Sequence, residues 1–407
     1  MRASRTILIL LLIATVLANI VYWQDPWLWR RFANTFLQLA GAAPSLLEPN
    51  ELISGDNSFE LPVAEPNKLA IRNEALESAV AFAARVDSFA LIATHKGVIQ
   101  VEWYAEGWDR KSLTQSQSMH KSLQALLMGV AIEDRLIDSV NDPVEKYLSA
   151  WQNDPRGSIT LHELMIMSSG LAQYAFTLNP FTDDFRWLYS GDTVPVVLRT
   201  PQANWEPGQK FDYNNINSEL LGLVLEKGFG QRYAEILEQQ LWRPMGGGEV
   251  RVWLDHEGGN AYTSCCLMAT ARDWTRIGQL MLNRGTVNGN RIVRPEWITA
   301  MTTPSPVSSW YGLQTWLTND EVNPRGENPA TGGSFSHSES FLAADTYFFA
   351  GRGAQRVYVV PSQQLVIVRL GPALGPNPLK PGCDNAYLVN TLIRGIKSSD
   401  TTIAYAR

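Results

Sequence analysis

The chain has 407 residues, 45% hydrophobic and 18% charged, which is enough apolar material for one large or two moderate domains and excludes wholesale disorder. Its net charge is -6 and no sustained basic run is present, which excludes a nucleic-acid surface built on clustered Lys and Arg.

Ile7 to Trp23 form an almost unbroken apolar run, with Arg2 and Arg5 before it and Arg30 and Arg31 after it. Such a run is an uncleaved membrane anchor or a signal peptide. Ile20, Val21, Tyr22 and Trp23 continue past Ala18 without an A-x-A cleavage site, which favours an anchor over residues 1–24. Trp23, Trp27 and Trp29 suit a headgroup belt, and residues 25–39 suit a helix lying along the surface. Residues 25–68 are then a juxtamembrane segment and tether, the part from 48 to 68 being rich in Pro, Asn, Ser and acidic side chains. The portion that follows is expected outside the cytoplasm.

The folded region is expected from Leu69. Residues 90–94 and 98–104 are β-rich runs around His95-Lys96-Gly97, a hairpin signal. A helix follows in which Leu123, Leu126, Leu127, Val130 and Ala131 recur at helical spacing. Helical pieces at 161–167, 218–227 and 233–241 are separated by loops. A second hairpin at 356–360 and 364–370 turns at Pro361-Ser362-Gln363, and residues 386–396 form a closing helix. The pattern predicts an α+β fold: an antiparallel sheet flanked by helices, built from 69–148 and 270–407, with an inserted mainly helical region at 149–269. A cleft between the two parts is where a small-molecule site forms.

The chemistry concentrates at Ser118-Met119-His120-Lys121. Ser118 and Lys121 lie three residues apart at a helix start and so share a face. A serine hydroxyl needs a neighbouring base, and a lysine can serve once burial lowers its proton affinity. A first-turn serine beside a solvated lysine would also account for this short motif, so partners are required. Glu206-Pro207-Gly208-Gln209 is a turn that delivers Tyr213 and Asn215 ahead of the next helix. A tyrosine near an ammonium loses its proton more easily and can relay it, while the Asn215 amide can orient Lys121 and donate to a substrate carbonyl. The same asparagines could simply cap the helix.

Cys265, Cys266 and Cys383 have no metal-ligand spacing. Adjacent Cys265 and Cys266 do not readily bridge, which leaves either a disulfide from one of them to Cys383 or three buried thiols. His95, His120, His162, His256 and His337 are scattered, and neither a metal site nor a cofactor follows from them. Tyr174, Phe176, Phe181, Phe185, Trp187 and Tyr189 lie in the insert loop at 173–193 and can line an apolar pocket or serve ordinary packing.

Ser118-Lys121 followed about a hundred residues later by Tyr213-Asn215 resembles the serine β-lactamase and penicillin-binding superfamily. The match is to its class C-like branch, which includes D-Ala-D-Ala carboxypeptidases, family VIII esterases and 6-aminohexanoate-dimer hydrolases. Leu164 to Leu171 resembles that family's helix-to-loop segment, and Met268-Ala269-Thr270-Ala271-Arg272-Asp273-Trp274 its ATARD helix start. The resemblance implies a β-lactamase/transpeptidase-like fold and a bacterial envelope enzyme, with its catalytic part on the periplasmic side of the inner membrane. Ser118 would be the nucleophile, Lys121 and Tyr213 the base, and Asn215 a substrate-binding side chain. The family's K-T-G strand falls on Phe349-Ala350-Gly351, so its cation is missing and the glycine alone remains. Gly351 would let a substrate approach the strand, and the backbone N–H groups of Ser118 and Arg352 would hold the oxyanion. Loss of the cation points to neutral esters or amides, with Arg352 or Arg356 as substitute charges. Two rivals are a cell-wall D-Ala-D-Ala carboxypeptidase or class C-like β-lactamase, and a non-catalytic muropeptide-binding envelope protein.

Overall fold

Two helices lead the chain, α1 (Arg2–Tyr22) and α2 (Pro26–Leu39). The structure, a computed structural model, describes residues 2–39, 48–318, 337–372 and 383–397. Next come β1 (Asn50–Ile53), α3 (Asn73–Arg85), the hairpin β2 (Ala90–His95) and β3 (Val98–Tyr104), and β4 (Thr114–Gln115). A 3-10 turn over Gln117–Met119 enters α4 (His120–Glu133). The middle of the chain holds α5 (Leu161–Met165), α6 (Asp183–Tyr189), α7 (Val194–Arg199), α8 (Asn215–Phe229), α9 (Tyr233–Leu237), β5 (Val250–Trp253) and β6 (Leu267–Ala269). The last part holds α10 (Ala271–Leu282), the short pair β7 (Thr286–Val287) and β8 (Asn290–Arg291), α11 (Pro295–Met301), β9 (Trp316–Leu317), β10 (Tyr347–Gly351), β11 (Gln355–Val360), β12 (Leu365–Leu370) and α12 (Asn385–Gly395).

The main sheet is antiparallel, in the order β3-β2-β12-β11-β10-β9, so strands from both ends of the body meet at β2 and β12. Lys96 and Gly97 both have positive φ, 50° and 79°, the mirror-image turn whose twist suits a tight hairpin. β12 reads Leu-Val-Ile-Val-Arg-Leu and is buried throughout, as a strand covered on both faces must be. One face carries Ile71, Phe82, Leu388 and Leu392 of the α3 and α12 layer. The other packs on α10 and on the larger core that reaches α4 and α8.

A second sheet, β1-β5-β6-β4, alters the expectation for residues 48–68 and 149–269. The stretch read as a tether carries β1, paired residue for residue with β5, and its Ala64 N–H donates to the Ile99 carbonyl. The region read as helical supplies β5 and β6. Backbone pairing outweighed polar composition here, because Ile53 and Leu61 bury completely or nearly so. Residues 40–47 of the expected juxtamembrane segment lie outside the described residues.

Among the described residues, no helix is long and apolar enough to cross a membrane, although Ile7, Leu8, Leu10, Leu12 and Ile20 of α1 are exposed. α2 docks on the body instead of lying free. Arg31, read as a flanking charge, is buried. Its guanidinium donates to the carbonyls of Leu254 (2.8 Å) and Asp255 and to the Tyr262 hydroxyl (3.2 Å), and stacks over Trp253 at 4.8 Å. A dehydrated guanidinium needs acceptors, and the loop carbonyls supply them. Asp25 caps α2 at Leu28 and accepts from the Gly191 N–H. Of the insert-loop aromatics, read as pocket lining or ordinary packing, Phe185 and Tyr189 serve packing in this docking, against Tyr22 and Phe32. Tyr174 packs against Trp187, while Phe176 and Phe181 are exposed.

Candidate active site

Ser118 sits in the 3-10 turn that feeds α4, one step before the α-helix proper. Gln117 just ahead of it has φ 49°, a left-handed conformation that costs a non-glycine residue roughly 1 kcal/mol or more and persists only where neighbours hold it. They do: the Ser116 N–H donates to Leu267 O at 2.8 Å, and the Leu267 N–H to Ser116 Oγ at 3.1 Å. This pairing ties the Ser118 turn to β6.

Lys121 is 1% exposed. Its Nζ lies 3.1 Å from Ser118 Oγ and 2.8 Å from Asn215 Oδ1, and it donates to the Ser264 carbonyl. Its Nζ is 5.1 Å from the centre of the Tyr213 ring, and the Ser118 hydroxyl is near enough to act on the Tyr213 phenol. Ser118, Lys121, Tyr213 and Asn215 are therefore one cluster. Burial lowers the Lys121 pKa to about 7, against a smaller upward pull from Glu219. Near neutral pH a large share of Lys121 is then the free amine. Tyr213 goes the other way: burial raises it above an ordinary phenol, and the nearby Ser118 hydroxyl and Arg356 charge offset only part of that. Desolvation is here a larger effect than the pull of a nearby charge, and it favours the protonated phenol.

Gly351 ends β10 against the Ser118 turn. A Cβ there would lie 2.3 Å from Ser116 O and 3.0 Å from Gln117 Cβ, so only glycine lets the strand end that carries Arg352 come this close. The Arg352 side chain is exposed beside it. Phe349, at the missing cation's position, is fully buried in the core. Arg356 is buried too, and its guanidinium donates to Asn385 Oδ1 (2.9 Å), Gly351 O (3.0 Å) and Gln355 O (2.8 Å).

Several site residues have no signal in a motif. Tyr311 and Trp316 flank Tyr213, with ring centres at 6.2 and 5.5 Å, and Phe211 packs on both. These aromatics, rather than those of the insert loop, surround Tyr213. The segment after Tyr262 is the other omission. His120 is buried between the Cys265 carbonyl (2.7 Å) and the Tyr233 hydroxyl (2.9 Å), and burial drives its pKa down to about 4, so it stays neutral and braces this segment. Cys265 and Cys266 are bonded to each other and Cys383 is a buried free thiol, in place of either a bridge to Cys383 or three free thiols. Cys383 packs in the α3 and α12 layer, out of reach of a segment that lies against α4. Among the described residues no group of His, Cys, Asp and Glu is placed to hold a metal ion.

Gly222 sets how closely α8 meets that segment, since a Cβ would lie 2.5 Å from Thr263 Oγ1. Overpacking of this kind costs about 1–3 kcal/mol, against about 1 kcal/mol gained in helix propensity. Gly222→Ala is expected to lower the thermal midpoint and also the activity, because the Ser264 carbonyl moves with Thr263. A midpoint at or above that of the parent in calorimetry would refute the close contact.

Comparison with known proteins adds fold and kinship. Over 250 residues, 55% of this chain and 62% of that protein, the sequence is 24% identical to a 6-aminohexanoate-dimer hydrolase of Paenarthrobacter ureafaciens. The matched stretches span less than two thirds of the curated relatives' lengths. Among solved structures, a Bacillus anthracis protein assigned as a 6-aminohexanoate-dimer hydrolase superposes with a TM-score of 0.66 at 18% identity, covering 91% of this chain and 94% of that one. A family VIII carboxylesterase superposes with a TM-score of 0.61 at 14% identity, covering 82% and 98%. Both share the β-lactamase/transpeptidase-like fold. The Beta-lactamase family model matches residues 73–388, most of the chain and all of the cluster around Ser118, and the chain therefore belongs to the Beta-lactamase family.

Proposed function

We propose that the protein is a serine hydrolase that cleaves an ester or amide through an acyl-enzyme on Ser118, as a carboxylesterase or an amidase of the 6-aminohexanoate-dimer-hydrolase type. The observation that carries this is a buried lysine, with a pKa of about 7, whose Nζ is 3.1 Å from Ser118 Oγ. Ser118 Oγ attacks the carbonyl carbon while its proton passes to Lys121, directly or through Tyr213. The backbone N–H groups of Ser118 and Arg352 hold the oxyanion, each donor being worth about 3 kcal/mol in the transition state. The Lys121-Tyr213 pair returns the proton to the departing alcohol or amine, and a water activated by the same pair releases the acid. Asn215 holds Lys121 and meets the substrate carbonyl.

Buried Phe349 in place of a cation, and an Arg356 already committed to three oxygens, favour a neutral substrate over a penicillin or a peptide carboxylate. A fluorophosphonate probe is expected to label the parent and leave Ser118→Ala unlabelled. In a panel of p-nitrophenyl esters, D-amino-acid amides, 6-aminohexanoate dimer and nitrocefin, turnover is expected in the first three classes. Rapid nitrocefin turnover with none of the others would move the assignment to a β-lactamase, and labelling that survives in Ser118→Ala would end it.

The exposed apolar side chains of α1 support a further part of the reading, in which this helix holds the enzyme at the bacterial inner membrane with the catalytic region on the periplasmic side. Flotation of the full chain with vesicles, lost on deletion of residues 1–24, tests that placement.

A further inference from the structure

Glu219 takes no part in the chemistry above, yet it is 8% exposed and fully bonded. It follows Asn215 by four residues on α8, so both face the same way. Its Oε1 accepts from the Ser264 N–H, and its Oε2 from the Thr263 N–H and Oγ1, each at 3.0 Å. Ser264 in turn offers its carbonyl to Lys121. The Ser218 carbonyl, next on the same helix, accepts from Thr263 Oγ1 at 3.0 Å and from Gln124 Nε2 of α4 at 2.9 Å. Three pieces of chain are thus stitched together around one carboxylate, and the amine of the proposed base lies at their junction.

We propose that Glu219 is a positioning residue for the Lys121 base: it clamps Thr263 and Ser264 so that the Ser264 carbonyl and Asn215 hold Nζ beside Ser118, and its negative charge sets the pH at which that base becomes free. The inference rests on the reading of Lys121 as the base. Burial raises the Glu219 pKa above an ordinary carboxylate, and the three donors, against the single Tyr233 N–H that serves Glu226, offset part of that and favour the charged form. The other titratable groups around it are Tyr233 of α9, Tyr262 of the preceding loop, Glu226, which lines the same small cavity two turns along α8, and, behind Tyr233, His120 of α4. Burial favours the neutral form in each of the four. Lys121 is accordingly the group of opposite charge that feels Glu219 near neutral pH, and the carboxylate raises its proton affinity.

The sign of the effect follows. With the negative charge removed, the ammonium is less stable, the Lys121-Tyr213 pair releases its proton at lower pH, and the acid limb of the kcat/KM profile moves down. In the full chain with p-nitrophenyl acetate as probe, Glu219→Gln is expected to shift that limb by about one pH unit. KM should change little, because Glu219 touches no substrate. A limb that stays at the parent pH in a folded Glu219→Gln overturns the proposal. If Glu219→Gln does not fold, Glu219→Asp replaces it: the charge is kept but drawn back by one methylene, and a smaller downward shift is expected, with no shift or an upward one overturning the proposal. Fluorophosphonate labelling of the same preparations separates the two levels of argument. Labelling that does not depend on Ser118 sinks the hydrolase reading itself, whereas Ser118-dependent labelling with an unmoved acid limb sinks only the role of Glu219.

Discussion

Replacing Lys121 by Met is expected to lower kcat/KM for an activated ester by about three to four orders of magnitude, the usual loss when a positioned base is removed. The fall should appear in kcat, with KM nearly constant, because Lys121 handles a proton and does not grip the substrate. Stability should move differently. Lys121 has a folded pKa of about 7 against an ordinary 10.5, so between those values the unfolded chain binds more protons than the folded one. The native state therefore carries a penalty that is complete below about pH 7 and fades as the pH rises towards 10.5. At about 1.36 kcal/mol per unit the penalty is a few kcal/mol, and it is offset by the roughly 1–3 kcal/mol each for leaving Asn215 Oδ1 and the Ser264 carbonyl without their donor. Lys121→Met should accordingly melt at or above the parent temperature at pH 6 and lose ground to it at pH 9. A variant that melts well below the parent at pH 6, or that keeps most of its kcat, would contradict the assigned role.

The four clustered side chains were legible because each is a chemically distinctive residue in a short local motif. Ser118 and Lys121 share a helical face through backbone geometry alone, and Tyr213 and Asn215 enter by a turn that Pro207 and Gly208 announce. What holds Lys121 was not legible. The Ser264 carbonyl has no side-chain signature, and it reaches the amine across 143 residues of separation. Glu219 looks, in sequence, like one more polar residue on an amphipathic helix. Its burial appears only once α8 has packed against the Tyr262–Ser264 segment, a contact that Gly222 permits.

The same division runs through the fold. The two hairpins were readable from β-branched runs and their turn residues, and the structure returns them as β2-β3 and β11-β12 within a residue or two. Composition misled where pairing partners were distant. Residues 48–68 are polar enough for a tether, but β1 finds β5 about two hundred residues on and pairs along its whole length. Arg31 likewise looked like a charge at the edge of an apolar run, whereas its guanidinium is spent inside the body on loop carbonyls contributed by residues far along the chain. The departure at Phe349 carries a positive lesson. A single substitution in a family motif was readable from sequence, and burial of that ring shows that the position has been given over to packing, with Gly351 left to do the part that needs no side chain.

Asp273→Ala is expected to be among the most destabilising single changes outside the site, and the reason reaches back to it. Asp273 is 1% exposed and its partner Arg276 3%, with 2.8 Å between them. The carboxylate also accepts from the Gly248 N–H at 2.9 Å and from Thr270 Oγ1 at 2.6 Å, closing the capping box that starts α10 directly after β6. Arg276 extends the network to the Phe59 carbonyl at 2.8 Å. Removing one member of a buried pair leaves the other charge without compensation, at a cost of about 3–5 kcal/mol. Removing both charges is far less costly, since the unpaired ion is the larger part of the penalty. Asp273→Ala should therefore lower the thermal midpoint by roughly 5–10 °C, and adding Arg276→Met should recover part of the loss. Because β6 leads back to the Ser264 carbonyl, partial local opening could also reach Lys121. Counting active sites by fluorophosphonate distinguishes the two effects: kcat per labelled site should stay within a few-fold of the parent if the network serves stability alone. A double variant less stable than Asp273→Ala would show that the two charges are not coupled as the 2.8 Å contact requires.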